Sequence, residues 1–208
     1  MRVLDLFSGM GGWSAPFRDD GHETFSIDIN RAFEADAHID CGDVGSVLSA
    51  VPWRPDIILA SPPCTSFTTM TMGRNWTHDG EPRTESARQG RRLVLSTLRV
   101  IAALLPRFWI IENPRARLRT LGLLDGFERR TVTYCQLGED RMKPTDLWGV
   151  FPPGLVLPGP CSNGSPCHIA APRGSRTGTQ GGVDSARAGL IPYALAALVR
   201  DAAKESFA

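Results

Sequence analysis

Short apolar runs separated by polar, glycine-bearing turns set the rhythm of most of the chain. Arg2–Phe7 (RVLDLF), Glu23–Ile29 (ETFSIDI) and Asp56–Ser61 (DIILAS) read as strands, the last of them buried on both faces because its apolar residues are continuous. Phe108–Asn113 (FWIIEN) reads as a fourth, and Arg129–Cys135 (RRTVTYC) and Thr145–Phe151 (TDLWGVF) as the last two. Between the third and fourth lies the longest helical pattern, Thr84 to Leu105, in which Val94, Leu98, Ile101 and Leu105 recur at alternating steps of four and three and so share one face. Strand–helix alternation predicts an α/β domain, a mostly parallel twisted sheet with helices on both faces. Ligands of such sheets bind at the carboxyl ends of the strands.

Two segments interrupt the rhythm. Thr68–Thr84 is polar, with Gly and Pro, and reads as a long mobile loop. Pro152–Gly182 is rich in Pro, Gly, Ser and Cys and has no clear period. Ile191–Lys204 then reads as a closing amphipathic helix with Pro in its first turn. The expected organisation is a catalytic and cofactor-binding domain over 1–151, a small irregular recognition-like region over 152–187, and a C-terminal helix over 188–208 that packs back on the first.

Composition narrows the class only a little. The chain has 208 residues, 42% hydrophobic and 22% charged, enough for one packed domain. No run approaches the roughly 20 apolar residues of a membrane span, and the N-terminus lacks a secretory pattern. A cytosolic, monomeric protein is therefore expected, with its five cysteines free, catalytic or metal-bound rather than paired. The net charge of +1 conceals an asymmetry: residues 1–80 carry 5 Lys/Arg against 11 Asp/Glu, and residues 81–208 carry 18 against 11. A basic half is compatible with a polyanionic partner or with an ordinary mixed surface.

The chemistry concentrates at the expected strand ends. Asp5–Gly12 (DLFSGMGG) is a strand end, a glycine turn and a helix start, a shape that admits a nucleotide-like ligand or is simply a structural turn. Asp28 ends the second strand, where a carboxylate can accept from ribose hydroxyls. Asp43, in CGDV, falls at the expected end of a third short strand, placed to meet an adenine edge, and Phe7 can stack on the base. Cys64, in SPPCTSFT, follows two prolines that stiffen the backbone where the buried strand gives way to the polar loop. A thiol at that position suits a nucleophile. Glu112, in IIENP, occupies the equivalent point of the next strand. A thiolate and a carboxylic acid facing one crevice suit attack on an electron-poor ring with protonation of a ring nitrogen.

Together DLFSGMGG, SPPCTSF and ENP, in this order and spacing, resemble the cytosine-C5 methyltransferase family over about residues 1–150, and more weakly in the C-terminal helix. The resemblance implies a Rossmann-like methyltransferase fold using S-adenosylmethionine. It implies that Phe7, Asp28, Ile29, Asp43 and Pro63 bind that cofactor and that the turn carrying Ser8, Gly9, Gly11 and Gly12 surrounds its methionine part. It implies further that Cys64 adds to C6 of a cytosine flipped out of double-stranded DNA, while Glu112 contacts N3 and the amino group. The chain departs from the family in reading Glu-Asn-Pro for Glu-Asn-Val. It has EDRMK, with Arg141 and Lys143, for Gln-x-Arg-x-Arg; Arg141 is the candidate for the ring carbonyl or a phosphate. The room for target recognition is also short, about Phe151 to Arg187, so low or very short sequence specificity is expected. The same chemistry on tRNA or a free nucleotide stays open, as does a non-catalytic nucleic-acid-binding relative; restriction-modification and phage self-protection are both open as settings.

The short region has its own constellation. Cys161, Cys167 and His168, in PCSNGSPCH, are candidate metal ligands with Cys135 as a fourth, a Cys3His set that zinc takes up in structural sites. The spacing is not a standard Cys-x2-Cys knuckle, and plain loop cysteines are the other reading. Arg173 and Arg176, in a Gly/Thr-rich stretch, are candidate nucleic-acid contacts.

Overall fold

The computed structural model of the protein describes residues 1–170 and 189–207. In chain order its elements are β1 (Arg2–Leu6), α1 (Ala15–Asp19), β2 (Glu23–Ile27), α2 (Val44–Ala50), β3 (Ile57–Ala60), the single turn α3 (Met72–Asn75), α4 (Glu85–Leu104), β4 (Phe108–Pro114), β5 (Glu128–Thr133), β6 (Pro144–Val150) and α5 (Tyr193–Phe207). Two 3-10 turns, Arg117–Thr120 and Tyr134–Leu137, follow β4 and β5.

The six strands form one sheet in the order β2-β1-β3-β4-β6-β5. β2, β1, β3 and β4 are parallel, and β6 runs against both β4 and β5. The start of β6 therefore lies at the same edge of the sheet as the carboxyl ends of the other strands. Everything between Thr133 and Thr145 is delivered to that edge.

Period-two alternation divides the apolar residues between two core layers. Val3, Ile57, Leu59, Phe108 and Ile110 face Trp13, Phe17 and the Leu195, Ala196, Val199 and Ala203 stripe of α5. Leu4, Leu6, Ile58, Ala60, Trp109 and Ile111 face Val47 of α2 and Val94 and Ile101 of α4. The sheet is thus covered on both faces, a Rossmann-like methyltransferase architecture. α5 docks on α1 through Tyr193 to Asp19 (2.9 Å) and Lys204 to Asp20 (2.7 Å). The approach is closest at Gly12, where a Cβ would stand 2.6 Å from the Ile191 carbonyl oxygen.

Several expectations shift by a few residues, each for a local reason. β2 stops at Ile27 because the Asp28 carboxylate accepts from the Asn30 amide (2.8 Å) and turns the chain, leaving Ile29 exposed. Asp43 does not end a strand: it is the N-cap of α2, accepting from the amide (3.2 Å) and hydroxyl (2.7 Å) of Ser46. α4 begins as expected, with Thr84 capping the Ala87 amide, but Leu105 leaves the shared face. It is the left-handed C-cap (φ 48°) and is exposed, while Gly90, Val94, Thr97 and Ile101 are buried. Arg54 satisfies the last carbonyls of that helix, donating to Leu104 and Leu105. β5 gives way after Thr133 to the 3-10 turn, which Gly138 (φ 92°) closes. The irregular character expected of the region after Phe151 holds for 152–170, where no helix or strand forms. The remainder of that region, with Arg173 and Arg176, lies outside the described residues.

Candidate active site

Three loops meet at the carboxyl edge. The first follows β1. Phe7 is held at φ +58°, a left-handed conformation that costs a non-glycine residue about 1–3 kcal/mol and clusters at functional sites. The Ser8 amide donates to the Ile27 carbonyl (3.1 Å), and the Gly9 amide donates to Asp28 Oδ2 (2.8 Å), so the turn is stitched to the end of β2. Gly9 and Gly11 both have positive φ, and a Cβ on Gly9 would meet nothing within 4 Å. Ser8 Oγ is buried and has no hydrogen-bond partner among the described residues. Open space at Gly9 beside an orphaned hydroxyl and the Asp28 carboxylate fits a polar ligand bearing hydroxyl and amino groups. A cleft of about 440 Å3 runs past Gly9, Gly11 and Phe33. Gly12, grouped with these by sequence, has a different job: its missing Cβ admits the Ile191 backbone.

The second loop carries the nucleophile candidate, and both neighbouring loops hold it. Trp13 Nε1 donates to Ser61 Oγ (2.9 Å) from one side, and Asn113 Nδ2 donates to the Pro62 carbonyl (2.8 Å) from the other. Asn113 of ENP is thus a strut between the two motifs. Pro62 is buried and Pro63 exposed, with Cys64 half-buried next to it. Burial pushes the Cys64 thiol above its ordinary range and the Glu112 carboxylate pushes it further, while Lys143 pulls it back. The resting group is a thiol, and the Lys143 charge favours its ionisation.

The segment after Cys64 is packed rather than free, against the expectation of a mobile loop. Trp76 stacks on Phe67 (centroids 5.6 Å apart) and donates from Nε1 to the Ser66 carbonyl (2.7 Å), to which Asn75 Nδ2 also donates. Arg117 donates to the carbonyls of Thr77 (2.7 Å) and His78 (3.0 Å), tying the tip of the loop to the turn after β4.

The third loop brings the acid. Glu112 is almost completely buried near the end of β4. Its Oε1 accepts from the Tyr134 hydroxyl (3.0 Å) and lies 3.6 Å from Lys143 Nζ, which itself sits 4.5 Å from the Tyr134 ring centroid. Burial, then the Glu112 charge, raises Tyr134 well above its usual range, so the phenol stays protonated and donates. The cation beside Glu112 is therefore Lys143. Arg141 is buried nearby against Glu139 (3.6 Å) and Asp140 (3.8 Å). Sequence reasoning misses Tyr134, although an aromatic residue with a polar tip at the end of β5 is a usable signal. It gives Arg141 the ring carbonyl or a phosphate and assigns Lys143 no place beside Glu112, because spacing along EDRMK does not say which side chain reaches that carboxylate. It also misses Asp5, buried under the first turn, whose carboxyl desolvation raises to about 7 despite the Ser14 amide on Oδ2.

A second constellation lies at the same edge. Cys135, Cys161, Cys167 and His168 come together with all four ligand atoms within 4.8 Å of one another. Cys161 Sγ is 3.1 Å from Cys135 Sγ and 3.6 Å from His168 Nδ1, and Cys167 Sγ is 3.5 Å from the same nitrogen.

The fold is an α/β sheet with its candidate chemistry gathered at the carboxyl edge. Residues 1–120 match the family model for C-5 cytosine-specific DNA methylases, and the chain belongs to that family. It is 27% identical over 153 residues to a probable DNA (cytosine-5)-methyltransferase of Frog virus 3 (isolate Goorha), covering 71% of this chain and 70% of the relative. It is 28% identical over 130 residues to the type II methyltransferase M.HgiGI of Herpetosiphon aurantiacus, covering 57% of this chain and 94% of that one. Among solved structures, the Entamoeba histolytica methyltransferase EhMeth superposes with a TM-score of 0.54 at 14% identity, over 78% of this chain and 57% of that one, a likeness of fold. The chain thus spans little more than half the length of that solved relative. Among the described residues no helix is long and apolar enough to cross a membrane.

Proposed function

We propose that this protein methylates C5 of cytosine in double-stranded DNA, with S-adenosylmethionine as donor and Cys64 as a covalent nucleophile. The observation that carries the reading is convergence: the Cys64 loop, buried Glu112 with its Tyr134 and Lys143 partners, and the strained Phe7–Gly11 turn share one sheet edge, cross-tied by Trp13 and Asn113.

Phe7, Ser8, Gly9, Gly11, Asp28 and Ile29 would hold the cofactor, with Pro63 and Asp43 at its borders; Asp43 would do so alongside its capping bond to Ser46. S-adenosylmethionine bound there supplies an electrophilic methyl group. The protein's own part begins at Cys64, which loses its proton as Lys143 offsets the burial cost and forms a bond from Sγ to C6 of the ring. The displaced electron pair moves toward C5 and N3. Glu112, oriented by the Tyr134 hydroxyl, holds the ring at N3 and the amino group. Once C5 is methylated, its proton leaves, the Sγ–C6 bond breaks and Cys64 is regenerated. A thiol cannot reach C6 inside the base stack, so the target cytosine must be flipped out, with the packed Thr65–Thr84 segment forming a wall of its pocket.

A tritium-transfer assay with duplex DNA, tRNA and dCMP tests the substrate, and 5-fluorocytosine in the active substrate tests the covalent step. Label on DNA and a cofactor-dependent band on denaturing gels are expected. Label on tRNA or dCMP alone would move the chemistry to that substrate; turnover without a trapped band would remove the thiol adduct. The reading also includes a zinc ion on Cys135, Cys161, Cys167 and His168, outside the methyl-transfer chemistry.

A further inference from the structure

The Cys–His cluster joins two stretches far apart in sequence. Cys135 sits in the 3-10 turn after β5, directly after Tyr134. Cys161, Cys167 and His168 sit in the irregular segment, which the backbone also docks onto that turn region: the Cys161 amide donates to Thr133 Oγ1 (2.9 Å) and the Ile169 amide to the Asp140 carbonyl (2.9 Å). Burial holds this segment only weakly: no residue from 156 to 170 is fully buried, and Leu157 packs half-buried against the core at its start. Hydrophobic stabilisation scales with the apolar area removed from water, and here there is little of it.

The cluster has the form of a metal site. A tetrahedral zinc ion with sulfur ligands at about 2.3 Å and nitrogen at about 2.0 Å has ligand–ligand edges of about 3.5–3.8 Å. The His168 Nδ1 edges to Cys161 and Cys167, 3.6 and 3.5 Å, match; the Cys135–Cys161 edge, 3.1 Å, is shorter than that but far longer than a disulfide bond of about 2.05 Å. The other nitrogen of His168, Nε2, is buried and has no hydrogen-bond partner among the described residues. Three sulfurs and an imidazole, with no carboxylate among them, select a thiophilic tetrahedral ion rather than magnesium or calcium. Gln136 adds an Nε2 donor to Cys167 Sγ (3.1 Å), the kind of outer hydrogen bond that stabilises a ligating thiolate.

We propose that zinc, bound by the three thiolates and His168 Nδ1 with release of the thiol protons, clamps the 156–170 segment onto the turn that carries Tyr134. The clamp also fixes the point from which the chain continues to Arg173 and Arg176. The inference deepens the zinc assignment above and rests on it; it does not depend on what the enzyme methylates.

The test has two arms on the full chain, purified under reducing conditions. Metal content is measured for the wild type, Cys161→Ser, Cys167→Ser and Cys64→Ser, followed by cobalt replacement. One zinc per chain is expected in the wild type and in Cys64→Ser, with loss in the other two and with tetrahedral cobalt–thiolate absorption bands on exchange. A folded wild type that neither holds zinc nor takes up cobalt overturns the site, as does a Cys135–Cys161 disulfide in the reduced-state preparation. The second arm is amide exchange of the wild type before and after chelation, which does not depend on any variant folding. Residues 133–141 and 156–170 should exchange at least about tenfold faster without metal, with β1 and β3 unchanged. Zinc that is present but whose removal leaves both stretches protected keeps the site and overturns the clamp.

Discussion

The catalytic loops and the segment after β6 reach the same edge of the sheet but are held there by different means. The loops after β1, β3 and β4 are rooted in the two core layers and pinned by buried aromatic residues: Trp13 on Ser61, and Trp76 on Phe67 and Ser66. Residues 156–170 contribute no fully buried side chain; they are tied down by half-buried Leu157, by the Cys161 and Ile169 amides and by the Cys–His cluster. A stretch with a hydrophobic anchor can be positioned by packing; one without it needs a covalent or coordinate tie, since the entropy of ordering each residue still opposes it. The difference also separates tasks. The candidate catalytic groups grow from the core, and the irregular segment is attached to it.

The largest expected effect comes from Cys64→Ala. If the catalytic loops are held by packing, removing the thiol should leave the structure alone and cut kcat on the order of 10³-fold or more, with cofactor affinity by calorimetry unchanged. Appreciable turnover in the variant would end the nucleophile reading; lost cofactor binding would show that the loops are less independent than the packing implies.

Tyr134→Phe probes the seam between the two regions. It deletes one hydroxyl that donates to Glu112, a bond to a charged group worth about 1.5–3 kcal/mol. kcat should fall about 10- to 100-fold, with KM for DNA and cofactor unchanged. A change in KM alone would mean that the hydroxyl serves binding and not the acid.

Gly12→Ala attacks the packed side at the junction with the chain entering α5. The added Cβ meets the Ile191 backbone, which has no flexible end to swing away, so a loss of about 1–3 kcal/mol is expected. In a chain of this size that lowers Tm by roughly 2–4 °C per kcal/mol in a thermal melt. Unchanged stability would show that the α5 junction yields.

A stability effect of similar size is a pH dependence. Burial raises Asp5 from 3.8 to about 7, so the folded state binds a proton there that the unfolded chain has released. Asp5 therefore makes the protein lose stability as pH rises from about 4 to 7, with no further loss above. Asp5→Asn should flatten that slope by on the order of 1–4 kcal/mol, read by denaturant melts at pH 5 and 8. An identical slope in the variant would assign the pH dependence elsewhere.

Local signals in the chain were enough for the strands, the long helix from its Thr84 cap, the closing helix and the three motif loops, because period-two and helical patterns and Gly/Pro punctuation act over a few residues. They also supplied the four members of the Cys–His set, though not their meeting. Which residues touch was decided by the antiparallel insertion of β6 between β4 and β5, a choice that no window of sequence contains. That insertion sets Lys143 and Tyr134 against Glu112 and brings Cys135 to Cys161 across 26 positions. The same holds for Asn113, which in the sequence is only the middle of ENP until β3 and β4 pair and its amide reaches Pro62. Hydrophobic pattern specifies which face of a strand is buried; the neighbours along the sheet edge follow only from the order in which strands pair.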